Sequence, residues 1–189
     1  MDHIWKREVD GGQSDVFKDG NTCVKVYSGI QRDDIVLYHT IQSQLCTRVC
    51  TILTKVQQYQ GQEVQEVEVQ FLLLDENSVE SQKYSRTGIS QVTTRVPFIE
   101  GQSFAEAFPK DPMFWEFVQK RVIRFLRQQV PSLSIGVNQL ARHNIKVVWF
   151  EQGKLKLLVT DIAQNIRTFI DANKDKVEQL TYLRESREK

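Results

Sequence analysis

A few residues of this chain could do chemistry if the fold brings them together. Asp161 ends "KLKLLVTD" (154–161), a run that alternates and then turns apolar like a buried strand. A carboxylate at the end of a buried strand is costly unless something positive meets it. A lysine or arginine, a helix N-terminus, or a metal ion carrying phosphates would each meet that need. Lys25 lies inside "CVKVY" (23–27) on one face of an alternating strand pattern. Asp34 stands with Asp33 at the start of a helical pattern, where a carboxylate suits the helix dipole. Asn144 opens the hairpin pattern that ends at Asp161, and Gly11-Gly12 reads as a tight turn.

Other combinations carry less. His39, Cys46 and Cys50 fall at i, i+7 and i+11 and could share one helix face. With no paired Cys-x-x-Cys nearby they read as core residues and not as a zinc site. Lys120, Arg121, Arg124 and Arg127 place positive charge along one side of a helix and read as a solvated face. The three histidines have no nucleophile beside them.

The elements that must position these residues follow from periodicity. "HIWKREVDGGQSDVFKDGNTCVKVYSG" reads as three short strands with turns at Gly11-Gly12 and at Asp19-Gly20-Asn21. From Gln31 to Tyr59, Ile35, Tyr38, Ile41, Leu45, Val49, Ile52 and Val56 recur every three or four residues, which predicts one long helix. "EVQEVEVQFLLL" (63–74) alternates as a half-buried strand, 75–87 is a polar loop, and "GISQVTTRVPFI" (88–99) is a β-branched strand ended by Pro97. Ser103 with Glu106 forms a capping box for a short helix. Asp111-Pro112 opens a second long helix to Val130, with cap and first-turn proline in favoured places. Residues 140–162 form a hairpin around "EQG", and a last amphipathic helix runs from Ile166 to Arg184.

The 189 residues suffice for a sizeable core, and 40% hydrophobic with 26% charged residues is ordinary globular composition. A net charge of +1, split as −3 over residues 1–95 and +4 over 96–189, gives no reason to expect nucleic acid or a membrane surface as partner. No apolar run approaches the roughly 20 residues that span a bilayer. Three cysteines without framework spacing suggest reduced thiols and a cytoplasmic location. Strands first and helices later give an α+β class.

The order β-β-β-α-β-β, followed by helices enclosing a hairpin, resembles the kinase-like fold in the style of its aminoglycoside-phosphotransferase-like members. "DGGQSDVF" looks like a shortened glycine-rich loop, "CVKVY" like the third-strand lysine motif, and "RDDIVLY" like the start of the helix that supplies the paired acid. "VPFIEGQSF" is similar to the strand-to-hinge passage, and "LARHNIKVVWFEQGKLKLLVTDIAQNI" to the catalytic-loop asparagine, its hairpin and the metal-binding aspartate.

The resemblance implies a two-lobed fold. Its N-lobe, 1–97, would be an antiparallel five-stranded sheet plus one long helix; its hinge would be 98–102 and its reduced, mostly helical C-lobe 103–189. It implies ATP with Mg²⁺ as ligand, with Gly11, Gly12 and Ser14 near the phosphates. Lys25 would contact them, steadied by Asp34. Phe98, Ile99 and Glu100 would face adenine, and Asn144 and Asp161 would hold the metal. The position of the catalytic-loop aspartate reads Gln139, which can orient a substrate hydroxyl but cannot take its proton. Two uses of this fold follow. One is an atypical phosphotransferase with an unknown acceptor; the other is a pseudokinase that binds or regulates a protein partner without transfer. An unrelated α+β interaction domain is the third reading.

Overall fold

The computed structural model describes residues 2–6, 14–83, 90–131, 133–136, 140–163 and 165–173. In chain order these form strands β1 (Asp2–Lys6), β2 (Ser14–Asp19) and β3 (Thr22–Ser28), then helix α1 (Arg32–Ser43). Strands β4 (Cys50–Tyr59), β5 (Gln62–Phe71), β6 (Val79–Lys83) and β7 (Ser90–Pro97) follow. The second half holds α2 (Phe104–Ala107), α3 (Pro112–Gln129), β8 (Ile145–Glu151) and β9 (Lys154–Val159). Residues 166–173 form helix α4.

The protein is a mixed α+β fold with two sheets. The first has the order β1-β2-β3-β7-β6 and is antiparallel throughout. The second has the order β4-β5-β9-β8, with β5 and β9 parallel and the other pairs antiparallel. Because β5 pairs with β9, this second sheet draws strands from both sides of residues 98–102.

Two expectations from periodicity need correction. Residues 31–59 are not one helix: α1 ends at Ser43, and 50–59 is the strand β4. The segment "VCTILTKV" is β-branched and buries Cys50 and Ile52 on one face, so pairing with β5 overrides the three-to-four spacing. The turn that follows settles the conformation. Gln60 and Gly61 both have positive φ, at 51° and 76°, as a two-residue type I′ hairpin requires. Gln152-Gly153 repeats that turn between β8 and β9 with φ of 50° and 77°. The stretch 75–87 also holds more than a polar loop: a 3₁₀ turn at Glu76–Ser78 leads into β6, which pairs with β7.

The second half follows its sequence signals closely. Ser103 and Glu106 exchange both bonds of a capping box at α2, and the Asp111 carboxylate caps α3 by accepting from the Phe114 N–H at 2.8 Å. The core lies between the apolar faces of the second sheet and the helices. Val67, Val69, Phe71, Leu155, Leu157 and Val159 alternate inward along β5 and β9. Phe114, Val118, Val122 and Leu126 form the buried stripe of α3, and the Phe125 ring stacks on Phe71 at 6.1 Å. Among the described residues, no helix is long and apolar enough to cross a membrane.

Candidate functional site

Alternation along β3 puts Cys23, Lys25 and Tyr27 on the face of the first sheet that turns inward. In register, Lys25 stands between Val16 of β2 and Thr94 of β7. Thr94 is fully buried, and its hydroxyl lies close to the Tyr27 phenol without forming a hydrogen bond of good geometry. An ammonium in such surroundings needs a partner. That partner is Asp161, 136 residues away, whose two carboxylate oxygens accept from Lys25 Nζ at 2.8 and 2.6 Å. The side chains keep only 11% and 17% of their exposure.

Lys25 is held protonated. Burial acts on it most strongly and in the opposite direction, but the Asp161 charge, the nearby Tyr27 and the hydrogen bond to Asp161 together raise its pKa above the ordinary lysine value. Tyr27 is pushed up to about 12 by burial, against the pull of Lys25.

Asp161 reaches Lys25 because of where β9 ends. The strand stops at Val159, and Thr160 donates both its N–H and its hydroxyl to the Asn144 carbonyl, at 2.8 and 3.0 Å. Asn144 ends the 3₁₀ turn Arg142–Asn144 that leads into β8. The open end of the β8–β9 hairpin thus carries Asn144 on one strand and Asp161 just past the other. Asn144 is buried, and its Nδ2 donates to the Ala163 carbonyl at 3.4 Å.

Helix α1 completes the arrangement. The Tyr38 hydroxyl lies 3.1 Å from Gln42 Oε1 and 3.5 Å from Asp161 Oδ1, and accepts from the Ala163 N–H at 3.3 Å. Gln42 accepts from the Ile162 N–H at 3.0 Å and donates to the Thr160 and Leu72 carbonyls at 3.0 and 3.1 Å. His39 points to the other side, where its Nδ1–H donates to the Asp75 carbonyl at 3.0 Å. Burial holds the His39 pKa below the ordinary histidine value.

Residues 98–101 run between the two sheets. Phe98 donates its N–H to the Asn21 carbonyl at 2.8 Å, and Lys18 Nζ sits 4.1 Å from its ring centroid. Ile99 is half-buried and Glu100 exposed. Gly101 has φ of 121°, and a Cβ there would stand 2.5 Å from the Val147 carbonyl oxygen, so only glycine fits this approach to β8. Val147 in turn donates to the Gln102 carbonyl at 2.8 Å. Since Thr22 pairs with Pro97, the passage starts three residues, roughly 10 Å, along β3 from Lys25.

The sequence-predicted residues are therefore placed unevenly. Lys25 and Asp161 meet directly, and Asn144 is bonded to Thr160 and Ala163 on either side of Asp161. Asp34 does not steady Lys25: it sits half-buried in the first turn of α1, one turn before Tyr38, and Asp161 takes the lysine instead. Ser14 begins β2, opposite Tyr27. Gly11, Gly12 and Gln139 lie outside the described residues. Sequence reasoning missed Gln42 and saw Tyr38 only as part of an apolar stripe. A polar residue within the stripe Ile35–Tyr38–Ile41–Leu45 was the available signal.

Among the described residues, no group of three or more His, Cys, Asp or Glu side chains is placed to hold a metal ion. Asp161 and Asn144 carry a carboxylate and an amide oxygen, which are kinds of ligand that hard cations take. No protein-family model matches the chain, and a search of curated proteins returns no match.

Proposed function

We propose that this chain binds a nucleoside triphosphate, ATP with Mg²⁺, in the manner of a small kinase-like domain. The observation that carries the reading is the near-buried Lys25–Asp161 pair joining two sheets. A structural ion pair at such depth is replaceable by apolar residues at little cost. A lysine and an aspartate that meet there are, however, the two charges a phosphate–metal ligand requires. A five-stranded antiparallel sheet with three strands before α1 and two after it supports the same reading. So does a passage at 98–101 whose start lies three residues along β3 from Lys25.

In this reading Lys25 turns from Asp161 to the phosphate oxygens, whose negative charge replaces that of the carboxylate in keeping it cationic against burial. Asp161 and Asn144 would hold Mg²⁺, which neutralises phosphate charge. Phe98, Ile99 and Glu100 line the base end, with Gly101 fixing the passage against β8. A partner or acceptor protein would approach this site from the solvent side.

Binding and transfer are separate claims. The amide at 139 favours a second reading, a pseudokinase that binds nucleotide and transfers nothing, because no Asp occurs between Asp111 and Asp161 to take the proton of an acceptor hydroxyl.

Thermal unfolding with ATP–Mg²⁺ tests the binding claim. At about 100 times the dissociation constant, a ligand stabilises the fold by roughly 2.7 kcal/mol. The shift should vanish in Lys25→Ala and Asp161→Asn, each compared with its own ligand-free melting point. No shift in the wild-type protein at millimolar nucleotide overturns the reading. Hydrolysis or transfer abolished by Asp161→Asn assigns the phosphotransferase; nucleotide binding with no turnover assigns the pseudokinase.

A further inference from the structure

We propose that Tyr38 and Gln42 are positioning residues that fix the Asp161 carboxylate, so that α1 governs the Lys25–Asp161 site through uncharged hydrogen bonds. The consequence for ligand binding rests on the nucleotide reading above; the positioning itself does not.

Asp161 lies beyond the last residue of β9, so no strand ladder holds it. In the segment around it the Thr160 N–H and the Ala163 carbonyl go to Asn144, and toward α1 it offers one carbonyl and two N–H groups: Thr160 O, Ile162 N–H and Ala163 N–H. All three go to side chains of α1, one turn apart. Gln42 is fully buried and uses its whole capacity. Nε2 donates twice, to Thr160 and Leu72; Oε1 accepts twice, from Ile162 and Tyr38. A buried amide satisfied to this degree specifies one arrangement, because any displacement of 160–163 leaves a polar group unpaired.

Tyr38 adds a choice. Its hydroxyl has one proton and two acceptors, Gln42 Oε1 at 3.1 Å and Asp161 Oδ1 at 3.5 Å. While Lys25 occupies both carboxylate oxygens, the proton serves Gln42. When Lys25 turns to an anion, the phenol donates to Asp161 and keeps the carboxylate in place. Burial and the Asp161 charge push its ionisation well above the ordinary tyrosine value, so it remains a donor. A carboxylate from α1 at this position would instead repel Asp161.

The same helix face is anchored on its other side. His39 donates to the Asp75 carbonyl, and Ser43 Oγ donates to the Leu74 carbonyl. With Gln42 on Leu72, three side chains seat α1 on residues 72–75, while Tyr38 and Gln42 carry that seating across to 160–163.

The test reads Lys25, whose ammonium is bonded to Asp161. In ¹⁵N-labelled, ligand-free protein, the Lys25 ammonium protons should exchange slowly with water. In Tyr38→Phe and in Gln42→Leu they should exchange about fivefold faster, the worth of one net hydrogen bond. Ser43→Ala, which loosens α1 without touching 160–163, should leave that rate unchanged. Wild-type exchange in both folded variants overturns the proposal, as does equal acceleration in Ser43→Ala. If Gln42→Leu fails to fold, the smaller change Tyr38→Phe decides. A second arm measures ATP affinity in Mg²⁺ and in EDTA. Tyr38→Phe should lose about fivefold in Mg²⁺ alone, and equal loss in both media overturns positioning. Absence of ATP binding by the wild-type protein overturns the nucleotide reading, while the ammonium exchange still decides this one.

Discussion

Among the described residues, two places set a lysine against a carboxylate across neighbouring elements, and they differ in almost everything else. On the outer face of the second sheet, Glu66 and Glu68 of β5 stand in register with Lys154 and Lys156 of β9. Their charges approach to 3.7 and 3.6 Å, with the Lys154 side chain 60% exposed. At the end of the same strand β9, Asp161 meets Lys25 at 2.6 Å with both side chains nearly covered. The outer ladder forms because parallel pairing places its residues side by side. The inner pair forms although its members are far apart in sequence and belong to different sheets. Water sets the worth of the first; the absence of water sets the worth of the second.

Removing one partner exposes that difference most strongly. Asp161→Ala leaves the Lys25 ammonium covered and unpaired, which should cost about 3 kcal/mol in urea unfolding. The double replacement Lys25→Met with Asp161→Leu should return to within about 1 kcal/mol of wild type, since apolar residues of similar volume substitute for a buried pair. That outcome would mean the pair is kept for what it binds and not for what it stabilises. A cost below about 0.5 kcal/mol for Asp161→Ala would place the inner pair with surface pairs and remove its special standing.

The two pairs were also unequally legible in sequence. Lys25 and Asp161 each stood out, one as a polar residue in a strand pattern, the other as an acid ending an apolar run. Their meeting did not, because Asp34 lies closer in sequence and suits a helix start equally well. Which carboxylate reaches a lysine depends on how two sheets are set against each other, and local pattern carries none of that. The outer ladder was hidden for another reason: β5 and β9 each alternate as strands, but their parallel pairing joins segments that no local pattern links. Gln-Gly occurs at 60–61 and again at 152–153, and both form type I′ turns. Only the second was flanked by an unambiguous strand alternation. At the first, Ile52 and Val56 fell into helical spacing with Ile35–Leu45. Capping at Ser103 and Asp111, by contrast, is decided within four residues and was readable directly. Gln42 shows the limit most clearly. Its four hydrogen bonds reach residues 72, 160 and 162 as well as Tyr38, and nothing local foretells three of those partners.

Titration sharpens the comparison at the inner site. Lys25 has its pKa raised in the folded protein, so its contribution is complete below the unfolded lysine value near 10.4 and fades as pH rises beyond it. Tyr27, pushed up to about 12, favours the folded state below about pH 10 and loses that contribution between about 10 and 12. His39 is shifted the other way: buried neutral, it contributes above the unfolded value of 6.5 and loses this as pH falls below it. Urea midpoints should therefore form a plateau between about pH 6.5 and 8.5, above which the Cys23 and Cys50 thiols, also pushed up by burial, begin the alkaline decline that Tyr27 and Lys25 continue, and they should fall on the acid side as well. His39→Leu should flatten the acid limb, and the Lys25→Met, Asp161→Leu double variant should lose the lysine share of the alkaline one. An alkaline limb unchanged in the double variant would show that Lys25 does not feel its partner as the geometry requires.

The smallest effects belong to the outer ladder, and they complete the contrast. Lys154→Gln and Lys156→Gln should each change stability by no more than about 0.5 kcal/mol. Lys156 is the better test of the two, because its side chain is 35% exposed and Glu68 is 37% exposed, against 60% for Lys154. It also stands in register with Trp149 of β8, which is itself 46% exposed, so its aliphatic stem has an apolar neighbour. Charge and packing separate with salt. At about 1 M the screening length falls to roughly 3 Å, less than either charge separation, and the electrostatic part of each variant's cost should disappear. Any cost of Lys156→Gln that survives high salt is the stem against the indole. The inner pair, sheltered from ions as from water, should keep the whole penalty of Asp161→Ala at the same salt. If that penalty also fades, Asp161 is reached by solvent more freely than its cover allows, and burial no longer separates the two pairs.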